Sequence, residues 1–147
     1  MAYTTINKSS AHFNTATWTG NNTARSITGV GHQPDLVWIK SRTQSYDHAL
    51  FDAVRDGHTY YIETNTNSAE ITDAQTLTSM NSDGFSLGTS NLVNQNVQNH
   101  VAWNWKANGT GAANTAGSIN STVSVNTTAG FSIVKYTGTG SAATVGH

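Results

Sequence analysis

Cysteine is absent from this 147-residue chain, which excludes disulfide bonds and thiolate metal ligation. Proline occurs once, and charged side chains make up only 10% of the residues. No basic block is present and the formal net charge is −1, so electrostatics gives no reason to expect nucleic-acid binding. Also missing is any apolar run approaching the ~20 residues that cross a bilayer as a helix, and no membrane partner is expected. The opening Met1-Ala2-Tyr3-Thr4-Thr5-Ile6-Asn7-Lys8 lacks the charged-then-apolar order of a secretory signal, so export by that route is not expected. Stability then has to come from sheet packing and from neighbouring chains.

What the chain does contain is Ser, Thr and Asn in excess, with short β-branched segments between turn residues. Thr and Asn are poor helix formers, and such a composition suits many short strands. The longest uninterrupted apolar run, Leu36-Val37-Trp38-Ile39, follows Gly29, Gly31 and Pro34 and ends at Lys40-Ser41-Arg42. It reads as a strand over 35–41 buried on both faces. Further strands are expected over 13–19 and 48–54. In the latter, Ala49, Phe51 and Ala53 share one face. Asp56-Gly57 marks a hairpin turn from there into an extended 59–64. A hairpin over 76–88 turns at Asn81-Ser82-Asp83-Gly84, and residues 69–77 hold at most a weak helical turn.

The clearest period-2 pattern is His100-Val101-Ala102-Trp103-Asn104-Trp105-Lys106. Val101, Trp103 and Trp105 fall on one face, expected inward, with His100, Asn104 and Lys106 on the other beside Ala102. Residues 107–116 are Gly, Asn, Thr and Ala only, the composition of a linker. Strands are expected again over 118–125 and 131–136. Strand signals every 10–12 residues or so, with no convincing amphipathic helix, predict an all-β, antiparallel β-sandwich.

The chain also matches itself. Phe13, four residues, then Trp18-Thr19-Gly20 reappears as Phe131, four residues, then Tyr136-Thr137-Gly138. Val30-Gly31-His32 reappears as Val145-Gly146-His147. An internal duplication predicts an N-terminal arm at 1–11, a β-sandwich module at 12–107, a linker at 108–117, and strands opening a second, incomplete repeat at 118–147. Half a module leaves apolar strand surface uncovered, so the tail is expected to pair with another chain or to belong to a longer polypeptide.

Several motifs, in order, resemble a recurring domain of marine bacteriophage virion proteins. They are the opening octapeptide, the Trp18-Thr19-Gly20 turn, Gly29-Val30-Gly31-His32-Gln33-Pro34-Asp35-Leu36-Val37-Trp38-Ile39-Lys40, Ser82-Asp83-Gly84-Phe85-Ser86-Leu87-Gly88, and Val101-Ala102-Trp103-Asn104-Trp105-Lys106-Ala107. The resemblance implies a jelly-roll, concanavalin-A/lectin-like sandwich in a tail fibre, appendage or capsid-surface component. It implies localisation in the virion, assembled in the bacterial host cytoplasm, and partners that are copies of the chain and other virion proteins. Many relatives carry Phe in place of His32 and Cys in place of Asn104. Since Asn104 is expected opposite the indoles, its change need not disturb the core.

Catalytic signals are weak. Glycan hydrolysis needs two carboxylates facing each other across a groove, and none of Asp35, Asp47, Asp52, Asp56, Glu63, Glu70, Asp73 and Asp83 is singled out as a pair. His12, His32, His48, His58, His100 and His147 lack zinc-binding spacings. No catalytic residue, metal or cofactor is expected, and the chain is not read as an enzyme. For sugar stacking, Trp18, Tyr46, Tyr60 and Tyr61 are the rings expected near the surface, with Trp38, Trp103 and Trp105 in the core. Tyr46, Asp47 and His48 form the best local ligand-binding candidate. A lectin-like module recognising host surface glycan is therefore the alternative to a structural virion protein.

Overall fold

Alternating strand segments punctuated by Gly, Asn and Asp build an all-β, antiparallel structure. The computed structural model describes residues 6–147. Residues 1–5 of the expected arm and opening motif lie outside the described residues, and Ser9–Ala11 forms a single 3-10 turn.

The strands are β1 (Phe13–Thr19), β2 (Arg25–Thr28), β3 (Leu36–Ser41), β4 (Ala49–Asp52), β5 (Tyr60–Tyr61), β6 (Ile71–Thr72), β7 (Leu77–Asn81) and β8 (Gly84–Leu87). A one-turn helix, α1 (Asn91–Asn94), precedes β9 (Asn99–Trp105), β10 (Ala112–Asn114), β11 (Ser121–Asn126) and β12 (Phe131–Tyr136). They form a four-stranded sheet ordered β1-β9-β3-β4, three-stranded sheets ordered β2-β8-β7 and β10-β11-β12, and a β5-β6 pair.

One hydrophobic cluster joins the first two sheets. Trp18, Val37, Ile39, Ala49, Phe51 and Ala102 come from the four-stranded sheet, and Ile27, Leu77, Phe85 and Leu87 from β2-β8-β7. Each of the valine, leucine, isoleucine and phenylalanine side chains among them contributes roughly 1.5–3 kcal/mol when fully buried. Tyr61 and Val93 close the cluster from β5 and α1. Gly84 is required where β8 meets β2: its φ is +136°, and a Cβ there would strike the Ile27 carbonyl.

The period-2 reading of β9 locates the strand but reverses its faces. His100, Ala102 and Asn104 are the fully buried residues, while Val101, Trp103 and Trp105 are half-buried on the outer face. Small Ala102 lies between Ala16 and Ile39 in the ladder, which leaves core volume for Trp18 and Phe85, packed edge-to-face at 5.7 Å. The backbone engages one polar atom of each polar neighbour of Ala102, while His100 Nε2 and Asn104 Oδ1 are buried without a partner. Asn104 donates to the Asn14 carbonyl at 3.1 Å, and His100 Nδ1 lies 3.2 Å from the Gln98 carbonyl. Asn104 is thus a core residue, contrary to its expected outward position.

β3 departs from its expected burial in another way. Val37, Ile39 and Ser41 are buried, but Leu36, Trp38 and Lys40 are only half-covered, so one face rather than both is sealed. Trp18 and Tyr61, expected near the surface, are buried.

The hairpin expected at Asp56-Gly57 is reduced to a single bridge between Leu50 and Ile62. Asp52 Oδ1 accepts the N–H groups of Val54 and Arg55, both at 2.9 Å, which bends the chain straight after β4. β5 then pairs with β6, in the stretch where a helical turn was the weak alternative. The composition marking 108–117 as a linker does not keep it unstructured, since β10 within it pairs with β11. Both repeat-related phenylalanines begin strands, but the environments of the matched aromatics diverge. Trp18 is 7% exposed and Tyr136 is 55% exposed.

His32 and His100 are 5% and 0% exposed. Burial pushes both imidazoles below their ordinary value of 6.5, against smaller upward effects of the Ser10 carbonyl on His32 and the Gln98 and Asn91 backbone on His100. Both bind protons more weakly in the fold than in the unfolded chain, which takes them up as pH falls below 6.5. The unfolded state then holds more protons, so stability rises with pH in that range and falls on acidification. Thermal denaturation from pH 8 to 5 is expected to show a flat melting temperature above pH 7 and a decline below 6.5. The decline is bounded by about 1.4 kcal/mol per pH unit for each imidazole, and a flat profile down to pH 5 contradicts it.

Candidate functional site

The outer face of the four-stranded sheet carries the largest set of rings not committed to the core. Ladder register orders it into rows. Phe13, Trp105, Leu36 and Asp52 lie side by side across the four strands, and Thr15, Trp103, Trp38 and Leu50 form the next row. Trp105 is flanked by Phe13 at 4.9 Å and by Phe131 of β12 at 6.3 Å. From Phe131, β12 follows the first row to Lys135, whose ammonium pairs with Asp56 at 2.8 Å. Two clefts open along this junction. One, of about 360 Å³, is lined by His12, Phe13, Trp105 and Phe131 among others, and one of about 300 Å³ by Arg55, Ile62, Ile133 and Tyr136 among others.

In the second row the Trp38 and Trp103 rings lie 5.4 Å apart at 49°, and His48 extends the line, 5.7 Å from Trp38. Trp38 donates its indole N–H to His48 Nδ1 at 3.2 Å. Nδ1 is therefore the acceptor and the imidazole proton sits on Nε2. Burial, then the nearby Lys40 ammonium, push His48 below its ordinary value, with Asp47 opposing them.

The three residues singled out in the sequence gather beside this row. Asn65 donates to Asp47 Oδ1 at 2.8 Å and accepts the His48 backbone N–H at 2.9 Å, which locks the turn. The Tyr46 carbonyl accepts from Lys40 Nζ at 2.8 Å, as does the Gln44 carbonyl at 3.1 Å. Tyr46, Asp47 and His48 are all half-exposed. Sequence reasoning missed Asn65, which lies far along the chain, and placed Trp38 and Trp103 in the core. The one available signal was Lys40, a charged residue two positions from Trp38 and hence on its face.

The carboxylates hold structure together. Asp52 and Glu70 grip Arg55 at 2.6 and 2.9 Å, and Asp73 Oδ1 accepts the Gln75 N–H at 2.8 Å. Asp83 accepts Gly29 and Gly31 N–H groups at 3.1 and 2.6 Å, and these bonds hold its carboxyl below the ordinary value. Asp35, 3% exposed, takes the N–H groups of Ala107 and Gly109. Among the described residues no three His, Cys, Asp or Glu side chains gather as a metal site would require.

The edge of the sheet is a second functional feature. Lys106 donates to the His12 carbonyl and Gly20 to the Gln98 carbonyl, both at 2.8 Å, so the even-numbered residues of β1 face β9. The N–H and C=O groups of Phe13, Thr15, Thr17 and Thr19 then point out of the sheet. Asn14 Oδ1 takes the Thr15 N–H and Arg25 takes the Thr19 carbonyl. Phe13 and Thr17 keep open edge groups among the described residues.

A profile described as a domain of unknown function, DUF7483, matches residues 8–147. The chain belongs to the DUF7483 family. The matched range takes in β10 and the expected linker. No curated protein and no solved structure matches the chain, and no described helix is long and apolar enough to cross a membrane.

Proposed function

We propose that this chain is a structural protein of a bacteriophage virion, in a tail fibre, appendage or capsid surface. In this reading it folds as a β-sandwich of jelly-roll, concanavalin-A-like type and assembles with copies of itself and with other virion proteins. The observation that carries the assembly is the open edge of β1. Its seven residues, Phe-Asn-Thr-Ala-Thr-Trp-Thr, contain no charge and no proline. Isolated sheets guard such edges with lysine, proline or bulges, and an unguarded edge pairs with another strand. β12, the terminal strand of the C-terminal sheet, offers a second edge, next to exposed Tyr136. The virion setting rests on the sequence resemblance.

Sedimentation velocity at rising concentration is expected to show assemblies of the wild-type chain. Thr17→Pro removes an N–H that points away from β9, so it blocks edge pairing without breaking the ladder. It is expected to yield monomers with an unchanged circular dichroism spectrum. A wild-type chain that stays monomeric through high micromolar concentration overturns the reading.

A further inference from the structure

We infer that the outer-face row of Trp103 and Trp38, ending at Asp47 and Asn65, is a binding site for a neutral saccharide. The site lies on the face of the sheet and not on the open backbone edge of β1, and the inference stands on a different observation from the assembly reading. Two indoles lie side by side on a sheet face whose opposite side already supplies the core. Neither is needed to seal that core, for Ala102, Val37 and Ile39 do so from the same strands. Half-buried rings on an outward face present a π surface, and such surfaces stack on the C–H face of a pyranose.

The surrounding groups select the ligand class. Thr15 stands directly across from Trp103 on β1. At the other end stand the carboxylate of Asp47, pinned by Asn65, and the imidazole of His48, whose Nδ1 is engaged by Trp38. Lys40, two positions from Trp38 on its face, is already held by the Gln44 and Tyr46 carbonyls, so its charge is not free for an anionic ligand. An apolar protein partner would cover the indoles but offer nothing to the Thr15 hydroxyl or to the Asp47 carboxylate oxygen that Asn65 does not engage. A sugar offers an apolar face for the rings and a rim of hydroxyls that donate and accept. Fixed polar groups around rigid rings lower the ordering cost of binding.

The test is an NMR titration of the full chain with maltohexaose, cellohexaose and chitohexaose in turn. The four tryptophans give separate indole N–H signals. The expected result is that at least one sugar shifts Trp38 and Trp103 and leaves the buried Trp18 unmoved. Trp103→Ala is expected to weaken that binding at least about tenfold. Trp103→Phe, which keeps a ring and tests the site should the alanine variant fold poorly, is expected to retain part of it. Asp47→Ala is expected to weaken it with the indole environment intact. No shift with any of the three sugars at tens of millimolar overturns the inference. So does a shift confined to Trp105, which would place the sugar in the Phe13–Phe131 cleft instead. Thr17→Pro, monomeric under the assembly reading, is expected to bind as the wild type does, so the two readings fail separately.

Discussion

Asp35→Ala is expected to lower folding stability by about 4 kcal/mol, read as a shift in urea midpoint at constant m-value. Asp35 sits at the start of β3 and is 3% exposed, with no cation paired to it among the described residues. Its charge is held by backbone instead: Oδ2 accepts the Ala107 N–H at 2.7 Å and Oδ1 the Gly109 N–H at 3.2 Å. Its own N–H donates to the Trp105 carbonyl and its carbonyl accepts from Ala53, both at 2.8 Å. Hydrogen bonds to a charged acceptor are worth about 1.5–3 kcal/mol each, and alanine leaves both donors without their acceptor. Asp35→Asn keeps one acceptor and is expected to recover about half of the loss. The damage is expected to concentrate downstream. Residues 107–109 lead into the C-terminal sheet, where Asn108 N–H meets Ser124 Oγ at 2.8 Å. Hydrogen exchange should therefore quicken in β11 and β12 before it does in β3 and β9. A loss under 1 kcal/mol would mean that the chain regains these bonds through water, and the anchoring role would be withdrawn.

Strand positions were legible because their signal is local. The strands expected over 13–19 and 131–136 appear as Phe13–Thr19 and Phe131–Tyr136, each bounded by residues that favour turns. Strands of two or three residues, β5, β6 and β10, carry too few positions for any period to register. β2 was missed for a related reason: Arg25-Ser26-Ile27-Thr28 holds one apolar residue, whose inward direction is decided by β8. The orientation of β9 was beyond local reading. A period of two divides a strand into two faces without saying which meets the core, and choosing by side-chain size selects the indoles. The decision lay with residues distant in sequence, since Trp18, Phe85 and Val93 share the buried cluster with Ala102. The candidate site followed the same rule. Tyr46, Asp47 and His48 are neighbours in sequence and stayed together. Their fixing partner Asn65, 17 positions from His48, and the two indoles arrived only through the fold.

Trp18→Ala is expected to cost about 3–5 kcal/mol, and Trp103→Ala no more than about 2. The sequence pattern, which places Trp18 near the surface and Trp103 in the core, ranks them the other way. Trp18 is 7% exposed, donates its indole N–H to the Val93 carbonyl at 3.1 Å, and lies parallel to His100 at 5.5 Å and 10°. Truncation opens a cavity between the two sheets, unpairs the α1 carbonyl, and removes the ring that keeps water from His100. Trp103 leaves a depression on an outward face that solvent fills, so the cavity part of the cost is absent. Trp18→Phe separates the contributions at Trp18. It restores most of the ring but leaves the Val93 carbonyl unpaired, and a cost of about 1–2 kcal/mol is expected from that group and the lost area. The pH profile supplies a check that burial alone would not move. With Trp18 gone, water reaches His100, its folded and unfolded proton affinities converge, and the acid-side decline in stability should become shallower. Equal costs for Trp18→Ala and Trp103→Ala, with the acid slope unchanged in both, would show that the outer indoles share in sealing the core, and the inside and outside of the β1-β9-β3-β4 sheet would have to be reassigned.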